Sequence, residues 1–206
     1  MSKPLFPRDQ ASETALLVNL QTLNYALLQH DWDSEKHGDL DIVLDRKDWG
    51  QFLDILLAFS KKNSFPVVKA YEIEHGLVCF VLLTREGALF LDVAIAGARA
   101  ESFGVTLHHA LAKRQRIHVA FVVDKTDEQT YAQGKLAVKR SVLHRVFNKV
   151  RNLPVIVRRV YSCTLLCRGC LLYIPYLTQE DLLRTSAVVQ KTATYIESTL
   201  RKRYTP

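Results

Sequence analysis

Long apolar runs are missing from this chain of 206 residues. A membrane-spanning helix needs about 18 to 20 apolar residues in succession, and the most apolar segment, residues 160–177, is interrupted by Arg168. The first 13 residues contain no apolar core of a secretory signal, and the whole chain has four cysteines. We therefore expect a cytoplasmic protein without a membrane span, whose thiols are free in a reducing compartment.

Two motifs that mark common enzyme classes are also missing. The sequence contains no G-x-x-x-x-G-K-[ST] loop, in which backbone amides and a lysine bind the phosphates of a nucleotide. It contains no G-x-S-x-G elbow, the strained turn that presents the nucleophilic serine of α/β-hydrolases. The sequence therefore indicates neither a P-loop protein nor a hydrolase of the elbow type.

Positive charge is in excess. The chain has 28 Lys and Arg residues against 21 Asp and Glu, which gives a formal net charge of +7 and a pI near 9.3. Such a balance favours anionic partners, including nucleotides, phosphosugars and nucleic acids. A predicted helix over residues 130–150 and the residue after it carry part of this charge, on Lys135, Lys139, Arg140, Arg145, Lys149 and Arg151. These residues would either follow a nucleic-acid backbone or form an ordinary solvated helix face.

Apolar periodicity divides the N-terminal part into helices and strands. Leucines at helical spacing predict a helix over residues 12–29, and a second helix with an apolar face from Trp49 to Phe59 ends before Pro66. Apolar runs bounded by polar turns predict strands at 39–44, 67–73, 77–84 and 88–95. The order α-β-α-β-β-β predicts a compact α/β unit with a mostly antiparallel sheet.

Two of these strands carry aspartates among apolar residues. Asp39 and Asp41 lie two residues apart and therefore project from the same face of their strand. Asp92 lies on the face of its own strand that lacks the large aliphatic residues. Neighbouring carboxylates repel each other unless a cation lies between them, and Mg²⁺ prefers carboxylate oxygen as a ligand. We therefore predict that the three carboxylates converge on a magnesium site.

The residues Gly38-Asp39-Leu40-Asp41-Ile42, then a helix, then Leu91-Asp92-Val93 resemble the nucleotidyltransferase-fold superfamily. Its members include polymerase-beta-like and kanamycin-nucleotidyltransferase-like proteins. The preceding stretch TLNYALLQ further resembles an uncharacterised branch that is associated with surface-polysaccharide genes. The resemblance covers residues 12–95. It implies an α/β (α+β) fold whose core, residues 1–125, is a mixed sheet flanked by helices, followed by a mainly helical region at 126–206.

The resemblance also implies a set of site residues. Asp39, Asp41 and Asp92 would be the catalytic carboxylates and would bind Mg²⁺. The family places a Gly-Ser pair before the Asp-x-Asp strand to bind the triphosphate, but this chain reads LLQHDWDS there. The polar residues nearest to that position are the candidates for nucleotide binding, namely Gln29, His30, Ser34 and Gly38.

The implied function is Mg²⁺-dependent transfer of a nucleoside monophosphate from a nucleoside triphosphate to a hydroxyl group. The acceptor would be a sugar phosphate, a protein or an RNA. Two alternatives stay open, and each belongs to a different class. One is a non-catalytic relative that binds a nucleotide or a partner protein, and the other is a basic nucleic-acid-binding module.

Two further groups of residues belong to rival chemistries. Cys163, Cys167 and Cys170 have the C-x₃-C-x₂-C spacing of radical S-adenosylmethionine enzymes, but their spacing also fits one face of a helix, on which thiols pack as small apolar groups. We therefore expect neither an iron–sulfur cluster nor zinc. His108 and His109 are adjacent and point in different directions, so we interpret them as ordinary surface or half-buried histidines.

Overall fold

A computed structural model describes residues 9–29, 39–151 and 186–205, and describes side chains throughout these ranges except at 139–151 and 186–188. Five helices carry most of the helical structure: α1 Gln10–Leu20, α2 Trp49–Asn63, α3 Leu107–Ala112, α4 Lys125–Arg151 and α5 Ser186–Tyr195. A π-helical turn at Ile196–Leu200 joins α5 to a last turn, α6 Arg201–Tyr204. No helix in the described part of the chain is long and apolar enough to cross a membrane.

Seven strands form one mixed sheet: β1 Tyr25–Leu27, β2 Leu40–Asp45, β3 Val67–Glu74, β4 Leu77–Leu83, β5 Ala88–Ala96, β8 Gln115–Ile117 and β9 Ala120–Val122. Their spatial order is β3-β4-β5-β2-β1-β9-β8. The β2–β5 and β1–β9 pairs are parallel, and the other neighbours are antiparallel. A separate hairpin consists of β6 Glu101–Ser102 and β7 Val105–Thr106. The predicted α/β class with a mixed sheet between helices is therefore confirmed.

The central sheet is covered on both faces, which explains why its middle strands are apolar on both sides. The larger core lies between the sheet and the helices α1, α2 and α6, and it contains Trp49, Phe52 and Tyr204. The other face carries smaller side chains, such as Ala94 and Ala96 of β5, and it packs against α3 and Tyr131 of α4. The aspartates lie on this second face.

The predicted helix over residues 12–29 is wrong in its second half. The helix ends at Leu20, and Tyr25–Leu27 is a strand between β2 and β9. Its residues belong to alternate cores, since Tyr25 and Leu27 face the larger one and Ala26 faces the smaller one. The leucine spacing is compatible with a helix, but burial on both faces of a sheet decides the structure here.

Other parts of the sequence prediction have mixed outcomes. The strands predicted at 39–44, 67–73, 77–84 and 88–95 are all present, shifted by at most one residue at an end. The short strands β6 to β9 were not predicted. His108 and His109 lie on helix α3. Residues 163, 167 and 170, with the three clustered cysteines, lie outside the described part of the chain.

Candidate metal centre

The three predicted aspartates come together at the centre of the sheet. Asp41 of β2 and Asp92 of β5 are direct partners in the parallel register. Asp39 immediately precedes β2, and alternation along the chain puts its side chain on the same face as Asp41. One carboxylate oxygen from each residue lies within 4.8 Å of the others. The convergence predicted from strand alternation is therefore present, whereas metal binding and catalysis stay predictions.

Asp41 is the most enclosed of the three, and it is surrounded by donors. It is 5 % exposed. Its Oδ2 accepts hydrogen bonds from Gln29 Nε2 and from Lys135 Nζ, both at 2.7 Å. The nearby Tyr131 hydroxyl acts to lower the pKa of this carboxylate. Gln29, which follows β1, and Lys135 of α4 thus meet at one oxygen of Asp41, which fixes the orientation of this carboxylate.

Lys135 also reaches Asp39, at 3.5 Å between Nζ and Oδ2. Burial acts to lower the pKa of Lys135, but the charges of Asp41 and Asp39 raise it above the ordinary value. The ammonium group therefore stays protonated at neutral pH. Lys135 Nζ also lies over the aromatic ring of Tyr131, 5.4 Å from its centroid. This cation–π interaction stabilises the ammonium group.

Asp92 has a different partner. The Cys79 thiol on β4 donates to Asp92 Oδ1, with 2.7 Å between sulfur and oxygen. Burial, followed by the charge of Asp92, raises the pKa of Cys79 well above its usual range, so the thiol stays protonated and can donate. Cys79 faces Asp92 directly in the β4–β5 register. The thiol thus holds one oxygen of Asp92.

The cluster has more negative charge than its surroundings neutralise. Burial raises the pKa of Asp41, and the charge of Asp39 raises it further, while Lys135 acts to lower it without cancelling the rise. Burial raises the pKa of Asp92 to about 7 despite the hydrogen bond from Cys79, with Asp39 and Asp41 adding to the effect. Among the described side chains, the three carboxylates share one ammonium group, so these four groups, when ionised, have a formal charge of −2. Hard oxygen donors with this charge fit Mg²⁺.

The predicted nucleotide-binding residues are only partly placed. Gln29 donates to Asp41, so in the structure it orients a carboxylate, and its contact with a nucleotide stays a prediction. His30, Ser34 and Gly38 lie outside the described residues. Lys135 and Cys79 were not predicted as site residues. Lys135 is 94 residues from Asp41 in the chain, and no local pattern marks it.

A second group of potential ligands lies apart from the first, at the start of α4. His109, Asp124 and Asp127 also bring one donor atom each within 4.8 Å of the others. Asp124 Oδ1 accepts from the backbone N–H groups of Thr126 and Asp127, at 2.9 Å each. This is the geometry of a helix N-cap, and it accounts for the position of Asp124 without an ion.

Comparisons of the chain with protein-family models, with curated proteins and with solved structures found no match. The chemistry that the site can support is therefore judged from its residues, their distances and their charges.

Proposed function

We propose that the protein is a Mg²⁺-dependent nucleotidyltransferase that moves a nucleoside monophosphate from a nucleoside triphosphate to a hydroxyl acceptor. The observation that carries the proposal is the convergence of Asp39, Asp41 and Asp92 on one face of two adjacent parallel strands. Three buried or half-buried acids with one ammonium between them are costly to maintain for stability alone. Such a cluster is explained by a ligand that supplies the missing positive charge.

Each residue has a defined part in this proposal. Asp39, Asp41 and Asp92 would hold the metal, and a bound metal would lower the pKa of the acceptor hydroxyl and stabilise the charge on the triphosphate. Gln29 keeps the Asp41 carboxylate in one orientation by its hydrogen bond to Oδ2. Cys79 does the same for Asp92. The reaction joins the acceptor oxygen to the α-phosphorus and releases pyrophosphate.

The excess of basic residues over the whole chain is compatible with a triphosphate and an anionic acceptor. A sugar phosphate or an RNA would carry negative charge to the site, whereas a protein acceptor would not need to. The nucleotidyltransferase-like core of residues 1–125 and the mainly helical region at 126–206 are part of the same proposal.

A non-catalytic relative is the second candidate, and one observation favours it. Lys135 Nζ lies 2.7 Å from Asp41 Oδ2, so an ammonium group already contacts the carboxylate that would bind the metal. The sequence also lacks the Gly-Ser pair that would bind the triphosphate. In this case the cluster would be a structural ion pair, and the protein would act by binding a nucleotide or a partner protein.

Thermal melting of the wild type and of Asp41→Asn tests the proposal. Mg²⁺ with one of the four triphosphates should stabilise the wild type, because a ligand at ~100 times its dissociation constant adds about 2.7 kcal/mol. Asp41→Asn should lose this response and also the transfer of labelled nucleotide. Its stability without metal should hold or rise, since burial and Asp39 disfavour the ionised form of Asp41.

The matched control is Asp54→Asn, which removes a carboxylate that pairs with Arg201 on the far face of the sheet. This variant should respond to Mg²⁺ and triphosphate as the wild type does. A wild type that gains no stability from Mg²⁺ with any of the four triphosphates would argue for the non-catalytic relative. So would an Asp41→Asn variant that melts well below the wild type in the absence of metal.

A further inference from the structure

Lys135 occupies an unusual position in the candidate site. Among the described side chains it is the one cation that forms ion pairs within the aspartate cluster, at 2.7 Å from Asp41 Oδ2 and 3.5 Å from Asp39 Oδ2. Its side chain is 21 % exposed, and the Asp41 side chain is 3 % exposed. The ammonium group thus lies between two acids in a place that water reaches only in part.

The packing of helix α4 places this lysine at the site. Gly134 lies against the β6–β7 turn, and a Cβ atom there would be 2.2 Å from the carbonyl oxygen of Phe103. The Phe103 ring packs edge-on against Tyr131, with 5.3 Å between the centroids. Tyr131 is one helical turn before Lys135 and contacts the same carboxylate, Asp41. Close packing of α4 therefore determines where the ammonium group lies.

The same oxygen cannot serve the lysine and a metal equally well. Asp41 Oδ2 already accepts from Gln29 and Lys135 at 2.7 Å each. A Mg²⁺ ion binds its oxygen ligands at about 2.0–2.1 Å, so an ion on this carboxylate would lie close to the ammonium group. Two positive charges at such a distance repel strongly in a partly buried site. The ion and the ammonium group therefore compete for Asp41.

We propose that Lys135 is the resident counterion of Asp39 and Asp41, and that a divalent cation binds there by displacing it. The inference rests on the proposed function and adds a regulation of the same site. Lys135 is a positioning residue, because it acts through the carboxylates that it holds together. Its presence lowers the affinity for the metal alone, so the metal binds well only with a ligand, such as a triphosphate, that brings negative charge.

The test compares the wild type with Lys135→Met, which keeps most of the unbranched side chain and removes its charge. Free Mn²⁺ is measured by electron paramagnetic resonance, and Mg²⁺ binding by calorimetry, both without nucleotide. Removing one positive charge a few ångströms from the ion should tighten Mn²⁺ binding by about tenfold or more. In EDTA the variant should melt below the wild type, since three acids are left without a counterion, and Mg²⁺ should reverse this loss.

Two further variants control the comparison. Lys125→Met removes an exposed lysine at the start of the same helix and should leave the dissociation constant of Mn²⁺ within about twofold of the wild type, because exposed charges are screened by salt. Lys135→Gln, prepared in Mg²⁺ and then dialysed, replaces Lys135→Met if that variant does not fold, and it should show the same tightening.

Each outcome is decisive. Tighter binding by Lys135→Met and unchanged binding by Lys125→Met support the inference. Equal or weaker binding by Lys135→Met overturns it and leaves the proposed function in place. Binding by Lys135→Met and not by the wild type, both without nucleotide, supports the inference if a triphosphate restores Mn²⁺ binding to the wild type. If no triphosphate restores it, the result overturns both the inference and the proposed function, because the lysine then replaces the metal permanently. Absence of metal binding in both proteins, without nucleotide and with each of the four triphosphates, overturns both the inference and the proposed function.

Discussion

Single charged residues on the central strands are the most informative feature of this chain. Asp41 and Asp92 lie between apolar neighbours, and their raised pKa values express the free energy that the fold loses by keeping them ionised without a cation. A protein that needed only stability would be better served by apolar residues at these positions. The residues themselves therefore indicate a binding role for the cluster.

Asp92 should make the metal-free protein less stable as pH rises. Its pKa is raised from 3.8 to about 7 by burial, with Asp39 and Asp41 adding to the effect. Below pH 3.8 the group is protonated in both the folded and the unfolded chain, and above that value the unfolded chain ionises first. The folded protein therefore loses free energy of unfolding between these two values, and the loss is complete above about 7.

Urea unfolding in EDTA across this pH range, for the wild type and for Asp92→Asn, measures the effect. The difference in the free energy of unfolding between the two proteins should grow with pH and then level off. Its total change should be on the order of a few kcal/mol. Addition of Mg²⁺ should reduce the difference for the wild type at high pH. A difference that does not vary with pH would contradict the assigned state of Asp92.

Strand alternation alone predicted that Asp39, Asp41 and Asp92 share a face, because the side-chain period of two holds in any strand. Lys135 and Cys79 were not predicted, for a different reason. Each is an ordinary residue in its local pattern, a lysine on a basic helix and a cysteine in an apolar strand, and only the tertiary contacts bring it to an aspartate. No property of the local sequence determines those contacts.

At the scale of elements, the approach of α4 to the β6–β7 turn depends on one glycine. Phe103 and Gly104 in that turn have positive φ values, 49° and 87°, so the turn presents the Phe103 carbonyl toward the helix. Gly134 is the residue that faces this carbonyl. A close contact between a helix and a turn thus positions Tyr131 and Lys135.

Gly134→Ala should destabilise the protein, although the same change stabilises most helices by about 1 kcal/mol. The added Cβ would lie 2.2 Å from a backbone oxygen, so α4 or the turn must move. We expect a loss of about 1–3 kcal/mol, as for other overpacked sites, measured by urea unfolding. Gln133→Ala, at the exposed neighbouring position, is the control and should be near neutral. A stabilised Gly134→Ala protein would show that the contact is absent.

The error over residues 21–29 also belongs to the scale of elements. Asn24 is fixed by side chains that are distant in sequence, since its N–H donates to Asp48 Oδ2 at 2.6 Å and its side chain donates to Asp45. These bonds begin strand β1 beside β2. A helix would satisfy the leucine periodicity equally well, so only the contacts of the folded sheet distinguish the two structures.

At the scale of the whole molecule, the last described residues complete the larger core. Trp49 Nε1 donates to the Leu200 carbonyl at 2.9 Å, and the ring of Tyr204 packs edge-on against Trp49. The Tyr204 hydroxyl donates to Glu72, and the N–H of Gly76 donates to the same hydroxyl at 2.8 Å. Residues at both ends of the chain thus share one core.

Tyr204→Phe should therefore weaken the whole fold and not only its C-terminal turn. The change removes the hydroxyl that accepts a hydrogen bond from the Gly76 N–H and donates one to the Glu72 carboxylate. A loss of about 1–3 kcal/mol in the free energy of unfolding is expected, seen in one cooperative transition. Tyr195→Phe removes a hydroxyl from the same C-terminal segment and is the matched control. A loss of helix signal at 222 nm before the main transition would contradict a shared core.

The α/β architecture was predicted because apolar runs and their spacing report burial directly. We did not predict the parallel pairing of β2 with β5 or the order of the seven strands, because local sequence does not specify which strands become neighbours. The composition of the two cores on either side of the sheet could not be predicted for the same reason. Alternation predicts that Leu91 and Asp92 face opposite ways, but it does not say which helices cover each side.

The pairing of Asp41 with Asp92 on neighbouring strands also decides which changes of length the chain can accept. One extra residue in β5 before Asp92 would turn its carboxylate to the opposite face of the sheet, away from Asp41. The turn at residues 84–87, which precedes β5, can lengthen without moving that pair, because surface turns accept insertions. Among natural or designed variants, insertions and deletions should therefore accumulate in that turn and be absent from β2 and β5.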